Sequence, residues 1–237
     1  MRRAALWLAD IAVVLSGVSL VGQTGPTTAD TSAVKPAEVS FQFDRTGLPV
    51  PHFTLRVWED GSGAYQAKQV EIPASATSMR GQAAQTIDRT INLSQGTVLK
   101  IFKAARGMNY FNIECASKMK NIADTGKKVL SYAGVDGSGS CTYNFSENKT
   151  VVMLTDMFLA LANTMDEGRK LEFLHRYDRL GLDAEMTFLS QEVESGRALD
   201  IGSISPTLAA IAADSEVIQR VRLRAQKMVE QAAEQGH

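Results

Sequence analysis

The side chains best placed to do chemistry lie between positions 172 and 183: Glu172, His175, Arg176, Asp178, Arg179 and Asp183. A helix through this stretch puts Glu172, His175 and Arg179 on one face by steps of three and four, with His175 also one step from Asp178. A carboxylate, an imidazole and a guanidinium in a row can bind an anion or move a proton. The same row can instead form intrahelical ion pairs, each contributing about 0.3–0.5 kcal/mol, at a joint between two halves of the chain. The joint is the expected use, because such rows are common on solvated helices. Glu172, His175, Arg176, Asp178 and Arg179 are therefore candidate binding residues, and no residue is assigned a catalytic role.

Histidine is scarce: only His52, His175 and His237 occur. There is no G-x-S-x-G around which a serine triad could form. No H-E-x-x-H and no paired Cys/His spacing marks a zinc site, and Glu172-x-x-His175 is one copy of a pair that di-iron bundles need twice. Neither a metal nor a cofactor is expected. Aromatic residues make up 7% of the chain, few for a sugar-binding platform.

The helix that carries the charged row extends back to residue 149, as one helix or as two joined at Gly168. Met153, Met157, Leu161 and Met165 repeat every four residues along it, flanked by Leu154, Phe158 and Ala162. The expected role of this stripe is to pack across a sheet; the rival use is a flexible apolar groove.

That sheet is read from the first half, where apolar residues alternate with polar ones. Val39, Phe41 and Phe43 mark one strand; Phe53, Leu55 and Val57 mark another, returned by a turn at Asp60-Gly61; Ile87 and Ile91 mark a further one. Residues 73–85 are expected to form a loop. Ser94 is placed to cap a helix that buries Val98, Ile101 and Phe102 and ends at Gly107. A second hairpin turns at Asp136-Gly137. Both turns carry Asp-Gly-Ser-Gly, residues 60–63 and 136–139, and are read as hairpin turns in which glycine supplies a positive φ.

Compartment is legible in two places. Arg2 and Arg3 precede the apolar run of residues 5–21, the layout of a signal peptide over 1–23, followed by a Thr-, Ala- and Pro-rich linker over 24–37. The two cysteines, Cys115 and Cys141, are expected to form a disulfide in an oxidising compartment, stabilising by about 3 kcal/mol. Formal net charge is −1, which gives no footprint for nucleic acid, and no membrane span is expected once the signal is removed.

Two resemblances attach to named residues. The order Phe43, Thr46-Gly47, Pro51, Phe53, Leu55, Val57, Asp60-Gly61, Gly63, Tyr65, then Phe102 and Phe111, resembles a domain of unknown function in secreted bacterial proteins over residues 41–165. The cysteine that family has near the Thr-Gly step is absent here. The resemblance implies a fold and a compartment, and no activity. Residues 205–232 resemble a single HEAT-type helical repeat, with Pro206 early in the first helix, Asp214 in the turn and Val221-Arg222-Leu223-Arg224-Ala225 in the second. One copy implies a helical hairpin rather than a solenoid, which needs at least three.

The sequence thus leads to an exported α+β protein, periplasmic or extracellular. An antiparallel sheet with packed helices over 38–165 is followed by a helical region over 166–237. The expected function is non-enzymatic: a binding or structural module acting through contacts with a protein partner. Two alternatives stand beside it, a hydrolase or other enzyme using the cluster from Glu172 to Asp183, and a carrier of a small apolar ligand.

Overall fold

A computed structural model describes residues 36–71 and 83–235. The expected signal peptide, nearly all of the expected linker, most of the 73–85 loop and His237 lie outside the described residues. Ala37, the last residue assigned to the linker, is already buried, and its carbonyl accepts from the Glu59 amide.

The alternating segments form one antiparallel sheet of six strands: β1 (Glu38–Asp44), β2 (His52–Trp58), β3 (Ser62–Gln69), β4 (Gln85–Asn92), β5 (Lys127–Gly134) and β6 (Gly137–Tyr143). Their order is β4-β3-β2-β1-β5-β6, so the first strand lies inside the sheet with β2 on one side and β5 on the other. Period-two alternation sends Val39, Phe41, Phe43, Phe53, Leu55, Val57, Leu130 and Tyr132 to the buried face. The other face is mostly polar: in register, Ser40 lies between Arg56 and Ser131, and Gln42 between Thr54 and Val129.

Five helices follow or interrupt the strands: α1 (Gln95–Gly107), α2 (Lys149–Tyr177), α3 (Leu182–Glu194), α4 (Ser205–Ala213) and α5 (Gln219–Gln235). With the sheet first and most helices after it, the fold is α+β. Ser94 caps α1 as expected, its hydroxyl accepting from the Thr97 amide. The described residues cluster as one compact unit, and a single hydrophobic core runs from the sheet through α2 to α5.

Helix α2 decides between two readings and corrects a third expectation. It is one unbroken helix through Gly168, where the missing side chain admits Ile204; an added Cβ would overlap the Ile204 side chain. Its core stripe is also not the methionine repeat. Val151, Leu154, Phe158, Leu161 and Met165 face the core, whereas Met153 is 40% exposed. A strict four-residue repeat gains ~40° per step on a helix of 3.6 residues per turn, so Met153 lies about 120° round from Met165. Phe158 stacks on Phe41 of the sheet with ring centroids 5.1 Å apart.

Cys115 and Cys141 form the expected disulfide, tying the segment after α1 to β6. The two Asp-Gly-Ser-Gly turns differ in why they need glycine. Gly61 has φ +89°, as expected, but Gly137 is not in the left-handed region. Gly137 is needed for close approach instead. Asn109, Tyr110 and Phe111 form a left-handed turn, with φ of 51°, 57° and 65°, whose Tyr110 ring would lie 2.5 Å from a Cβ at position 137. Arg106 at the end of α1 bridges the two hairpins, bonding both oxygens of Glu59 and Oδ2 of Asp136.

Candidate functional site

The first half of α2 is fixed by the sheet, and its last turns carry polar side chains to neighbouring elements. Leu171 is the last of its residues in the core. The helix ends at Tyr177: the Asp178 amide still donates to Leu174 O at 2.8 Å, but Asp178 itself has φ −153°.

The expected row of intrahelical ion pairs is not what these side chains form. Glu172 receives two hydrogen bonds from the Arg89 guanidinium of β4, at 2.9 and 2.5 Å, and a third from the Thr207 hydroxyl of α4 at 3.0 Å. His175 Nε2 lies 2.8 Å from Asp214 Oδ2 in the α4–α5 turn, so its carboxylate neighbour is Asp214 rather than Asp178. Arg179 reaches the same Asp214 at 3.2 Å and Glu216 at 2.6 Å. Each side chain extends away from its own helix because its partner, 35 to 83 residues distant in sequence, holds a fixed position on another element. Arg176 packs its guanidinium over the Tyr177 ring at 5.3 Å. The five candidates therefore separate into a Glu172 cluster, a His175–Arg179 cluster and Arg176, with Asp178 as the helix cap.

Electrostatics follow from these partners. Burial acts against the charged form of Glu172, but Arg89 and Thr207 outweigh it and hold the carboxyl below the usual glutamate range. Asp214 is held low by the Glu216 backbone amide and by His175.

A second polar set lies one turn back and was not singled out from sequence. Tyr65 donates from the sheet to Asp166 Oδ1 at 3.0 Å, and burial raises both groups. Glu167 is 1% exposed, bonded through one oxygen to Lys170, while its Oε2 has no hydrogen-bond partner among the described residues. Burial, then the Glu185 carboxyl on α3, push Glu167 up to about 8 against the opposing pull of Lys170. Further along the α2–α3 seam, Asn163 donates to Glu192, and Arg197 forks onto the same carboxylate. The signal for this set is the placing of Asp166 and Glu167 inside an otherwise apolar stripe.

Two clefts flank the Arg89–Glu172 bridge. One, of about 480 Å³, is lined by Ala83 and residues 85–89 on one side and by Arg169, Glu172, Phe173, Arg176 and Tyr177 on the other. The second, of about 390 Å³, lies toward Ser203, Ile204 and Pro206. Neither His175 nor Asp178 lines either one. Among the described residues no group of three or more His, Cys, Asp or Glu side chains could hold a metal ion, and no helix is long and apolar enough to cross a membrane.

No protein-family model matches the chain, and no curated protein matches it significantly.

Proposed function

We propose that the protein is an exported, non-enzymatic binding module that works through protein–protein contacts, with its contact point where the α2–α3 turn meets the α4–α5 turn. The observation that carries this reading is Leu180, whose side chain is 92% exposed beside Ile218, itself 47% exposed. Both line a notch of about 610 Å³ with Ala184, Arg179, Asp183 and Arg220. Exposed leucine beside exposed isoleucine leaves apolar surface in water, and covering it is favourable by about 25 cal/mol per Å². The charges at its rim are already neutralised, Arg220 by Asp183 and Arg179 by Asp214 and Glu216. An apolar centre with a paired polar rim is the usual anatomy of a protein interface. The disulfide supports export, since such bonds persist in oxidising compartments. His175 and Arg179 serve this reading structurally, by fixing the α4–α5 turn against α2.

The test is site-specific photocrosslinking in the native host. A photoreactive residue at position 180 is expected to give a discrete heterologous adduct that disappears in an Ile218→Glu background. The same probe at Gln66, on the polar sheet face, is expected to give none. Equal labelling at both positions would refute the assignment.

A second reading, a carrier of a small apolar ligand, rests on a groove of about 350 Å³ between the β1–β2 connection and α2. Leu48, Val50, Phe53 and Leu159 line it, with Asp166 and Glu167 at one wall. Saturable binding of an environment-sensitive apolar dye, lost in Leu159→Asp, would favour it.

A further inference from the structure

We propose that the outer edge of β4 is a second docking site, which takes an extended, acidic segment of a protein partner as an added strand. It is separate from the contact point at Leu180 and does not depend on it.

The geometry is specific to an edge. Consecutive residues Gln85, Thr86, Ile87, Asp88 and Arg89 all line the cleft of about 480 Å³. Successive strand residues point to opposite faces of a sheet, so five in a row can share one cavity only if it runs along the strand's side. β4 is terminal in the sheet, and among the described residues no strand pairs with its outer side. It is eight residues long and contains no proline. Edges of that kind are ordinarily short, charged or covered, because their unpaired amides and carbonyls invite another chain. The opposite edge is handled differently: β6 is anchored by the disulfide at Cys141 and overlain at Gly137 and Gly139 by the left-handed turn.

The second wall sets the chemistry of the guest. Three guanidiniums, of Arg89, Arg169 and Arg176, line the cleft against two carboxylates, of Asp88 and Glu172. Arg89 is committed to Glu172, and Arg169 lies 4.0 Å from the Asp166 carboxylate. Arg176 is exposed and forms no ion pair among the described residues; it rests on Tyr177, whose ring packs against Phe173 at 5.1 Å. A guanidinium laid on an aromatic ring keeps its donors aligned for a carboxylate. Strand addition would supply affinity through backbone bonds, and a glutamate or aspartate of the guest would supply selectivity at Arg176. A second copy of this chain pairing through β4 is the rival occupant, and it would show itself as a concentration-dependent dimer.

The experiment uses the full chain and two synthetic seven-residue peptides, one alternating Thr with Glu and one alternating Thr with Lys, followed by fluorescence anisotropy. The Glu peptide is expected to bind at least about tenfold more tightly than the Lys peptide. Arg176→Glu, an exposed change that leaves the core intact, is expected to reverse that preference. N-methylation of alternate amides in the Glu peptide, made in both registers, is expected to abolish binding in one register. Equal affinity for the two peptides, indifference to Arg176→Glu, or loss of peptide binding to a concentration-dependent dimer closed through β4 would each overturn the proposal.

Discussion

Arg89 and Glu172 face each other as a fork on a carboxylate, joining the edge strand of the sheet to the last turns of α2 across 83 residues of sequence. Because Thr207 bonds the same carboxylate, this one group ties together the sheet, the long helix and the C-terminal hairpin. The pair is only partly buried, with side-chain exposures of 43% and 40%. Solvent screening therefore reduces its worth. In a double-mutant cycle of Arg89→Met and Glu172→Gln, a coupling of about 1 kcal/mol is expected by chemical denaturation. Since Glu172 is held below its ordinary range, its contribution is complete above the unfolded glutamate pKa and is lost as pH falls through the lower, folded value.

Glu167 carries the opposite sign. Its folded value is raised to about 8, above the ordinary glutamate value of 4.5, so the unfolded chain releases this proton first as pH rises. Stability from this group is complete below the unfolded value and declines as pH rises through that interval. Glu167→Gln is expected to flatten that decline and to make the protein more stable than wild type at pH 8.5. Urea denaturation from pH 5 to 9 checks this, and a wild type whose midpoint stays level across the range would contradict it.

Gly168 marks a position where a single methyl group matters. Gly168→Ala forces the new Cβ into Ile204 and is expected to cost about 1–3 kcal/mol, although alanine is the better helix former. Ile204→Ala in the same chain would recover part of the loss. If Gly168→Ala instead stabilised the protein, helix propensity would outweigh the contact.

The disulfide closes a loop with a sequence separation of 26. Replacing Cys115 and Cys141 together with alanine is expected to lower stability by about 2–4 kcal/mol without altering the far-ultraviolet circular dichroism at 20 °C. Mass spectrometry of the alkylated wild type should show two protected thiols before reduction and two modified ones after it.

The strands were legible because one-sided burial writes an alternation that nearest neighbours in sequence preserve, as at Phe41 and Phe43. The disulfide was legible from a count of two. Strand order was not, since nothing local in Val39–Phe43 says that its second partner is β5, about ninety residues on. The methionine repeat misled by about a third of a turn, because a four-residue spacing approximates a helical face only over short distances. The charged row was found, but its partners Arg89, Thr207 and Asp214 lie too far away in sequence for any spacing rule to reach. Asp166 and Glu167 gave a fair signal, two acids in an apolar stripe, outweighed by the denser patch that follows.

The place of β1 has a consequence for assembly. The strands β1 to β4 form a meander that can zip from local contacts, and β5 with β6 forms a hairpin of its own. The sheet is completed only when the hairpin reaches back to β1, a long-range closure of the slow kind. Until the chain has delivered Lys127–Gly134, one side of β1 and its row of Val39, Phe41 and Phe43 lack their neighbour. A chain emerging amino terminus first would therefore hold this buried strand half-paired while about ninety further residues emerge. That interval is when a chaperone would have most to protect.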